Sequence, residues 1–179
     1  MKSALLSCLS FALLASAQAQ AQDQSQPTPA GQMGQMHKPA PQAGPLKITF
    51  GENSAEWTTA TLAPLPHTTV TVHNSHTKAD ETYSGVPLID LLTKLGVSDK
   101  PHAGDLRLYV VATGSDGYEV VYSIGEITPD LNSATVIVAD AENGKALAED
   151  GPLKLIATEE KRPARWVRNL VAIRVMLAQ

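Results

Sequence analysis

The densest group of positive side chains in this sequence is formed by Lys161, Arg162, Arg165 and Arg168. Guanidinium groups bind phosphate and carboxylate through paired hydrogen bonds, because their fork geometry matches two oxygens of the anion. The cluster therefore predicts a site for an anionic ligand. Two glutamates directly precede it, and they leave open the alternative of a solvated loop whose charges balance locally.

A second group combines His73 and His76 with Asp80 and Glu81. Imidazole and carboxylate are ligands that zinc and copper accept. Upstream, Met33–His37 (MGQMH) offers thioether and imidazole groups that suit Cu(I). These residues predict a copper or zinc site as one alternative. The other alternative is a pair of surface histidines and a low-complexity linker.

Established catalytic patterns are absent from the sequence. It contains no Gly-x-Ser-x-Gly elbow and no Gly-rich phosphate loop, and no carboxylate pair can be assigned to acid–base work. We therefore assign no catalytic residue from these patterns.

Charge and hydropathy limit the classes of partner. The 179 residues carry a formal net charge of −4, with a pI of about 5.7, which argues against a strongly basic nucleic-acid-binding surface. After residue 20 nothing approaches the roughly 18 consecutive apolar residues of a membrane-spanning helix. We expect neither a nucleic-acid partner nor a transmembrane segment.

Residues 1–21 have the organisation of a cleavable signal peptide. Lys2 precedes the apolar stretch 4–15, and small residues then offer A-x-A cleavage sites near Ala17 to Ala21. This pattern predicts a periplasmic or secreted protein. Cleavage would also remove Cys8, the only cysteine, so the exported chain would have neither a disulfide nor a thiolate ligand.

The composition changes again after the predicted signal peptide. Residues 22–44 are rich in Gln, Pro, Gly and Ala, and such a segment cannot bury enough apolar surface to offset its ordering entropy. We predict a disordered tether there and a folded domain over residues 45–179.

Within that domain most segments alternate apolar and polar residues, as strands do. The predicted strands are 46–50, 68–73, 106–112, 118–122, 134–139, 153–158 and 170–177. One helix is predicted after Pro87, where the stripe Leu88, Leu91, Leu92 and Leu95 ends before Gly96, and a second short helix is predicted at 123–127. This pattern indicates an α+β, mainly β fold and not a doubly wound sheet.

Four segments occur in a recognisable order: YSGVPLIDLL from Tyr83, SDGY from Ser115, GPLKLI from Gly151 and RWVR from Arg165, followed by a last strand. In this order they resemble the oxidoreductase molybdopterin-binding domain, the catalytic-domain fold of sulfite oxidase and the related periplasmic molybdenum reductases. The resemblance covers about residues 67–177. It implies a mixed sheet with one or two short helices.

In that family a cysteine thiolate ligates molybdenum and a basic pocket holds the phosphate of the pterin. The resemblance places His73 and Asn74 at the cysteine position and Arg162, Arg165 and Arg168 near the anionic group. An amide cannot replace a soft thiolate ligand, so the resemblance implies a retained fold and a lost metal chemistry.

Three functional hypotheses follow. The first is an exported domain that uses the old cofactor cleft to bind an anionic small molecule or a periplasmic protein. The second is a minimal molybdopterin oxidoreductase, with His73, Asn74 or solvent in place of the thiolate. The third is a copper- or zinc-binding protein that uses the Met/His segments.

Overall fold

The computed structural model describes residues 44–147 and 149–179 of the chain. The predicted signal peptide (1–21), the Met33–His37 segment and residues 22–43 of the predicted tether lie outside the described residues. Within the described ranges, no helix is long and apolar enough to cross a membrane.

Strands dominate the described part of the chain, with three helices of four to six residues between them. In chain order the elements are Leu46–Phe50 (β1), Asn53–Trp57 (β2), Thr59–Leu62 (α1), Thr68–Asn74 (β3), Ala79–Pro87 (β4), Leu88–Thr93 (α2), Leu108–Gly114 (β5), Glu119–Ser123 (β6), Ile124–Ile127 (α3), Val136–Glu142 (β7), Lys145–Ala146 (β8), Lys154–Ala157 (β9) and Leu170–Leu177 (β10).

The first sheet has five strands in the order β2-β1-β10-β5-β6. Strands β1 and β10 are parallel, and the other neighbours are antiparallel. The sheet is therefore mixed, as predicted. Its β5–β6 hairpin turns at Asp116-Gly117, where Gly117 has a φ of +84°, a conformation that glycine adopts without steric cost.

The second sheet runs β3-β4-β7, and both β8 and β9 pair with β7. All of these pairs are antiparallel. The register between β4 and β7 shifts between Ser84 and Gly85, which leaves Asp140 of β7 outside the paired residues. Because shifts of this kind redirect side chains, the carboxylate of Asp140 is free to meet His67, 3.1 Å away.

Helix α2 buries the leucine stripe that the sequence predicts. Leu88, Leu91 and Leu92 are fully buried, and Pro87 lies immediately before the first helical residue. Both sheets and α2 contribute to one apolar core. The core also contains Tyr83, Tyr122 and Trp166, which bring polar atoms into the interior.

The predicted fold class, α+β and mainly β, is confirmed. Strand β10 has the predicted bounds, whereas β4, β2 and β8 were not predicted. The strand predicted over 106–112 begins only at Leu108, because residues 105–107 form a 3₁₀ turn, and Leu106 is 49% exposed.

Candidate functional site

A series of hydrogen-bonded side chains runs from the second sheet into the loop that precedes β9. We call Asn74, Glu81, Tyr83, Lys154 and Asp150 the Lys154 network. The amide nitrogen of Asn74 donates to both carboxylate oxygens of Glu81, at 2.9 and 3.0 Å. The Tyr83 phenol donates to Glu81 at 2.8 Å and accepts from Lys154 Nζ at 2.8 Å. Lys154 Nζ also donates to Asp150 Oδ2 at 2.5 Å, so the ammonium group contacts one carboxylate directly and is connected to a second, Glu81, through the Tyr83 phenol.

The register of the second sheet brings these groups together. Gly85 of β4 lies opposite Ala139 of β7, which in turn lies opposite Lys154 of β9. Residues directly opposite one another point to the same face of a sheet. Because glycine and alanine occupy the two intervening positions, the lysine side chain can extend over β7 to reach Tyr83.

Glu81 is only 8% exposed, yet both oxygens of its carboxylate accept hydrogen bonds. Burial by itself would raise the pKa of Glu81. Hydrogen bonds from Asn74, Tyr83 and Thr77, together with the charge of Lys154, outweigh that effect and hold the pKa of this carboxyl below its usual range. Glu81 is therefore an anion at neutral pH.

Lys154 is enclosed by aromatic rings. Its Nζ lies 4.6 Å from the centroid of the Tyr83 ring and 5.5 Å from that of the Trp166 ring, and the side chain is 6% exposed. Trp166 is 6% exposed, and its indole N–H donates to the Ala157 carbonyl at 2.9 Å. Burial, and then the hydrogen bond to Glu81, raise the pKa of Tyr83, so the phenol stays protonated and donates to the carboxylate.

Arg165 is held by carboxylates and by an aromatic ring. Its guanidinium donates to Glu126 at 2.9 Å and to Glu160 at 2.8 Å, and lies 4.5 Å from the Tyr122 ring centroid. Burial would lower the pKa of Arg165, but the hydrogen bonds and charges of the two glutamates raise it above its ordinary value. These residues line a pocket of about 120 Å³ in which acidic side chains outnumber the single arginine.

The other two arginines are far less constrained. Arg168 is 64% exposed, and its Nη1 lies 3.7 Å from Asp150 Oδ1. Arg162 is exposed, and among the described residues no ion pair involves it. Both side chains flank the 3₁₀ turn Pro163–Arg165.

The structure separates the predicted residues His73 and Asn74. Successive residues of β3 point to opposite faces, so Asn74 joins the Lys154 network while His73 lies on the outer face and pairs with Asp80 at 2.8 Å. Asn74 forms one end of the network, and Arg168 lies beside the other end, at Asp150. In the described ranges no group of three or more His, Cys, Asp or Glu side chains is arranged to hold a metal ion.

Several members of this site were not identified from sequence. Lys154 lies in a strand whose four residues are all buried, and the sequence analysis did not single it out. A lysine among the apolar residues of this strand is a signal that could have identified it. Its partner Tyr83 lies 71 residues earlier in the chain. Apart from the motif that contains Tyr83, nothing in the sequence indicates that it belongs to this site.

The residues at the expected metal position do not suit molybdenum. Both ends of the Asn74 amide are engaged, since Nδ2 donates to Glu81 and Oδ1 accepts from the backbone N–H of His76 at 2.9 Å. The neighbouring ligand atoms are carboxylate oxygens and not soft sulfur.

Comparison with known proteins yields a partial likeness. No family model matches the chain. The DNA primase small subunit PriS of Thermoplasma volcanium is 32% identical over 82 residues, which is 46% of this chain. The match spans only 23% of the length of the primase subunit, so this likeness does not place the chain in a family.

Proposed function

We propose that this chain is an exported binding module that takes an anionic ligand through Arg162 and Arg168 and performs no molybdenum redox chemistry. The ligand is a small molecule or an acidic group on a periplasmic protein. The domain has, in this proposal, the sulfite oxidase-like fold that its motifs suggest. The predicted signal peptide would direct export of the domain. The predicted tether would let the domain contact a partner at some distance.

The difference among the three arginines carries this proposal. Arg165 is bound by Glu126 and Glu160, which leaves it no free hydrogen-bonding edge for a phosphate. Arg168 is mostly exposed and lies 3.7 Å from a carboxylate that Lys154 already holds at 2.5 Å. Exposed guanidinium groups with weak partners are the ones available to an incoming anion.

The proposal excludes molybdenum redox chemistry because of the side chains that are available to ligate the metal. The resemblance expects a thiolate at His73 and Asn74, and the side chains beside Asn74 offer amide and carboxylate groups instead. The mature chain expected after cleavage also has no cysteine to recruit from elsewhere. Arginine recognition of a phosphate requires neither metal nor thiol.

Titration with inorganic pyrophosphate tests the binding proposal, with the full chain purified after export and heat measured by calorimetry. We expect binding that weakens as salt is added, because the recognition is electrostatic and exposed. Arg162→Ala and Arg168→Ala should each weaken it about tenfold. The matched control is Arg174→Ala, which removes an arginine paired with Glu119 in the first sheet.

Two results would contradict the binding proposal: no pyrophosphate binding by the wild-type chain, or an equal loss in the Arg174→Ala control. Metal analysis tests the part of the proposal that excludes molybdenum chemistry. It uses protein exported from cells that make molybdopterin. Near-stoichiometric molybdenum with pterin would refute the non-redox part. Copper or zinc near one per chain would favour the alternative metal site.

A further inference from the structure

One carboxylate of the site faces two cations. Asp150 Oδ2 accepts from Lys154 Nζ at 2.5 Å, and Asp150 Oδ1 lies 3.7 Å from Arg168 Nη1. The two cations differ in exposure, at 6% for the Lys154 side chain and 64% for that of Arg168. The same acid therefore makes a short, partly buried contact with one cation and a long, solvent-screened contact with the other.

Moving the Lys154 ammonium group away from this position would cost a large amount of free energy. Its ammonium group also donates to Tyr83 and lies over the rings of Tyr83 and Trp166. A buried ammonium without its partners would keep the full desolvation penalty, so the Lys154–Asp150 pair is the stable one. Arg168 is left with a partner whose charge is largely neutralised.

We propose that Lys154 is a positioning residue for the anion site, because it occupies Asp150 and thereby keeps the guanidinium of Arg168 available to ligand. Lys154 is buried beside Asp150 and does not itself contact the ligand. Without its charge, Asp150 becomes the direct ion-pair partner of Arg168 and competes with the ligand for it. This inference rests on the proposed anion-binding function and identifies the residue that sets its affinity.

The variant Lys154→Met tests this mechanism, since methionine keeps most of the volume and removes the charge. We expect pyrophosphate affinity to fall about fivefold, which is the size of one exposed ion pair gained by Arg168 in the free protein. Adding Asp150→Asn to this variant removes the competing carboxylate. The double variant should recover wild-type affinity, whereas damage to folding would not be repaired by that second change.

A ligand-independent measurement keeps the inference separate from the proposed function. Arginine-specific dicarbonyl labelling, followed by peptide mass spectrometry, reports how freely Arg168 reacts. Labelling of Arg168 should slow in Lys154→Met and return to the wild-type rate or above in the double variant, while Arg174 labels equally in all three proteins. Unchanged Arg168 labelling in Lys154→Met would overturn the inference, whatever pyrophosphate does.

Two further outcomes are decisive. If labelling changes as expected but the wild-type chain does not bind pyrophosphate, the positioning effect stands and the proposed ligand class fails. If Lys154→Met does not fold, the double variant is compared directly with wild type, because a neutral pair is tolerated in place of a buried ion pair. Slower Arg168 labelling in the double variant would then overturn the inference.

Discussion

The side chains of Tyr83 and Lys154 meet across a strand that belongs to neither of them. Tyr83 lies in β4 and Lys154 in β9, with β7 between, yet the phenol oxygen and Nζ are 2.8 Å apart. The contact connects Glu81 on one side with Asp150 on the other. It joins the β3–β4 hairpin to the loop that precedes β9, and so links the position of Asn74 to that of Arg168.

Removing the Tyr83 hydroxyl tests how much this link stabilises the fold. In Tyr83→Phe both Lys154 and Glu81 lose a buried hydrogen-bond partner, which should lower the free energy of unfolding by about 2 kcal/mol. Urea unfolding followed by fluorescence measures the change. The control Tyr109→Phe removes a hydroxyl that makes no hydrogen bond within the described residues and should have almost no effect. Equal stability of Tyr83→Phe and wild type would show that the link is energetically neutral.

Gly85 permits the close approach of β4 and β7. A Cβ at this position would lie 2.2 Å from the Val138 carbonyl oxygen and 2.5 Å from the Ala139 Cα, and neither backbone atom can move aside easily. Gly85→Ala should therefore destabilise the fold by about 3 kcal/mol or more, as overpacking of a core does. Gly104→Ala is the matched control, because no atom lies within 4 Å of its Cβ position. A thermal shift no larger than that of the control would contradict the requirement for glycine.

His67 predicts that stability depends on pH above the ordinary pKa of histidine. Its Nε2 lies 3.1 Å from Asp140 and its Nδ1 2.8 Å from the Leu65 carbonyl, so both nitrogens face acceptors and only the imidazolium satisfies both. The Asp140 hydrogen bond, then that to Leu65, raise the pKa of His67 above its ordinary 6.5. Since the folded-state pKa is the higher one, this stabilisation is complete below about pH 6.5 and is lost as pH rises through the folded-state pKa.

Urea unfolding at pH 6, 7 and 8.5 measures that loss. Wild type should lose up to about 1 kcal/mol more across this range than His67→Gln, because the pair is partly exposed. His76→Gln is the control, since the side chain of His76 is exposed and makes no hydrogen bond among the described residues. The same pH slope in wild type and His67→Gln would refute the assignment.

The elements that can be predicted from the sequence are those whose determinants lie in neighbouring residues. The elements that were missed depend on partners far away in the chain. The β5–β6 hairpin follows from Asp116-Gly117, and β10 follows from alternation over Leu170–Leu177, because turn chemistry and period are properties of neighbouring residues. Strand β4 was missed because Ala79–Pro87 is rich in polar residues, glycine and proline, and its pairing is provided by β3 and β7. The buried position of Lys154 was missed for the same reason, since its partners are distant in sequence.

Arg165 should support the fold more than it supports ligand binding. It bridges Glu126 and Glu160, and its loss would leave two carboxylates facing the same pocket without a cation. Arg165→Met should lower the free energy of unfolding by about 1 to 2 kcal/mol, a value reduced for its 38% exposure. Added salt should recover part of the loss by screening the two glutamates.

The matched control for that change is Arg174→Met, which breaks a single pair with Glu119 in which both side chains are almost half exposed. We expect a loss of about 0.5 kcal/mol or less there, because exposed pairs contribute little. Pyrophosphate affinity should change less in Arg165→Met than in Arg168→Ala, since Arg165 is already occupied by carboxylates. A larger affinity loss in Arg165→Met, with stability unchanged, would reverse the roles of the two arginines and place the anion in the pocket beside Tyr122.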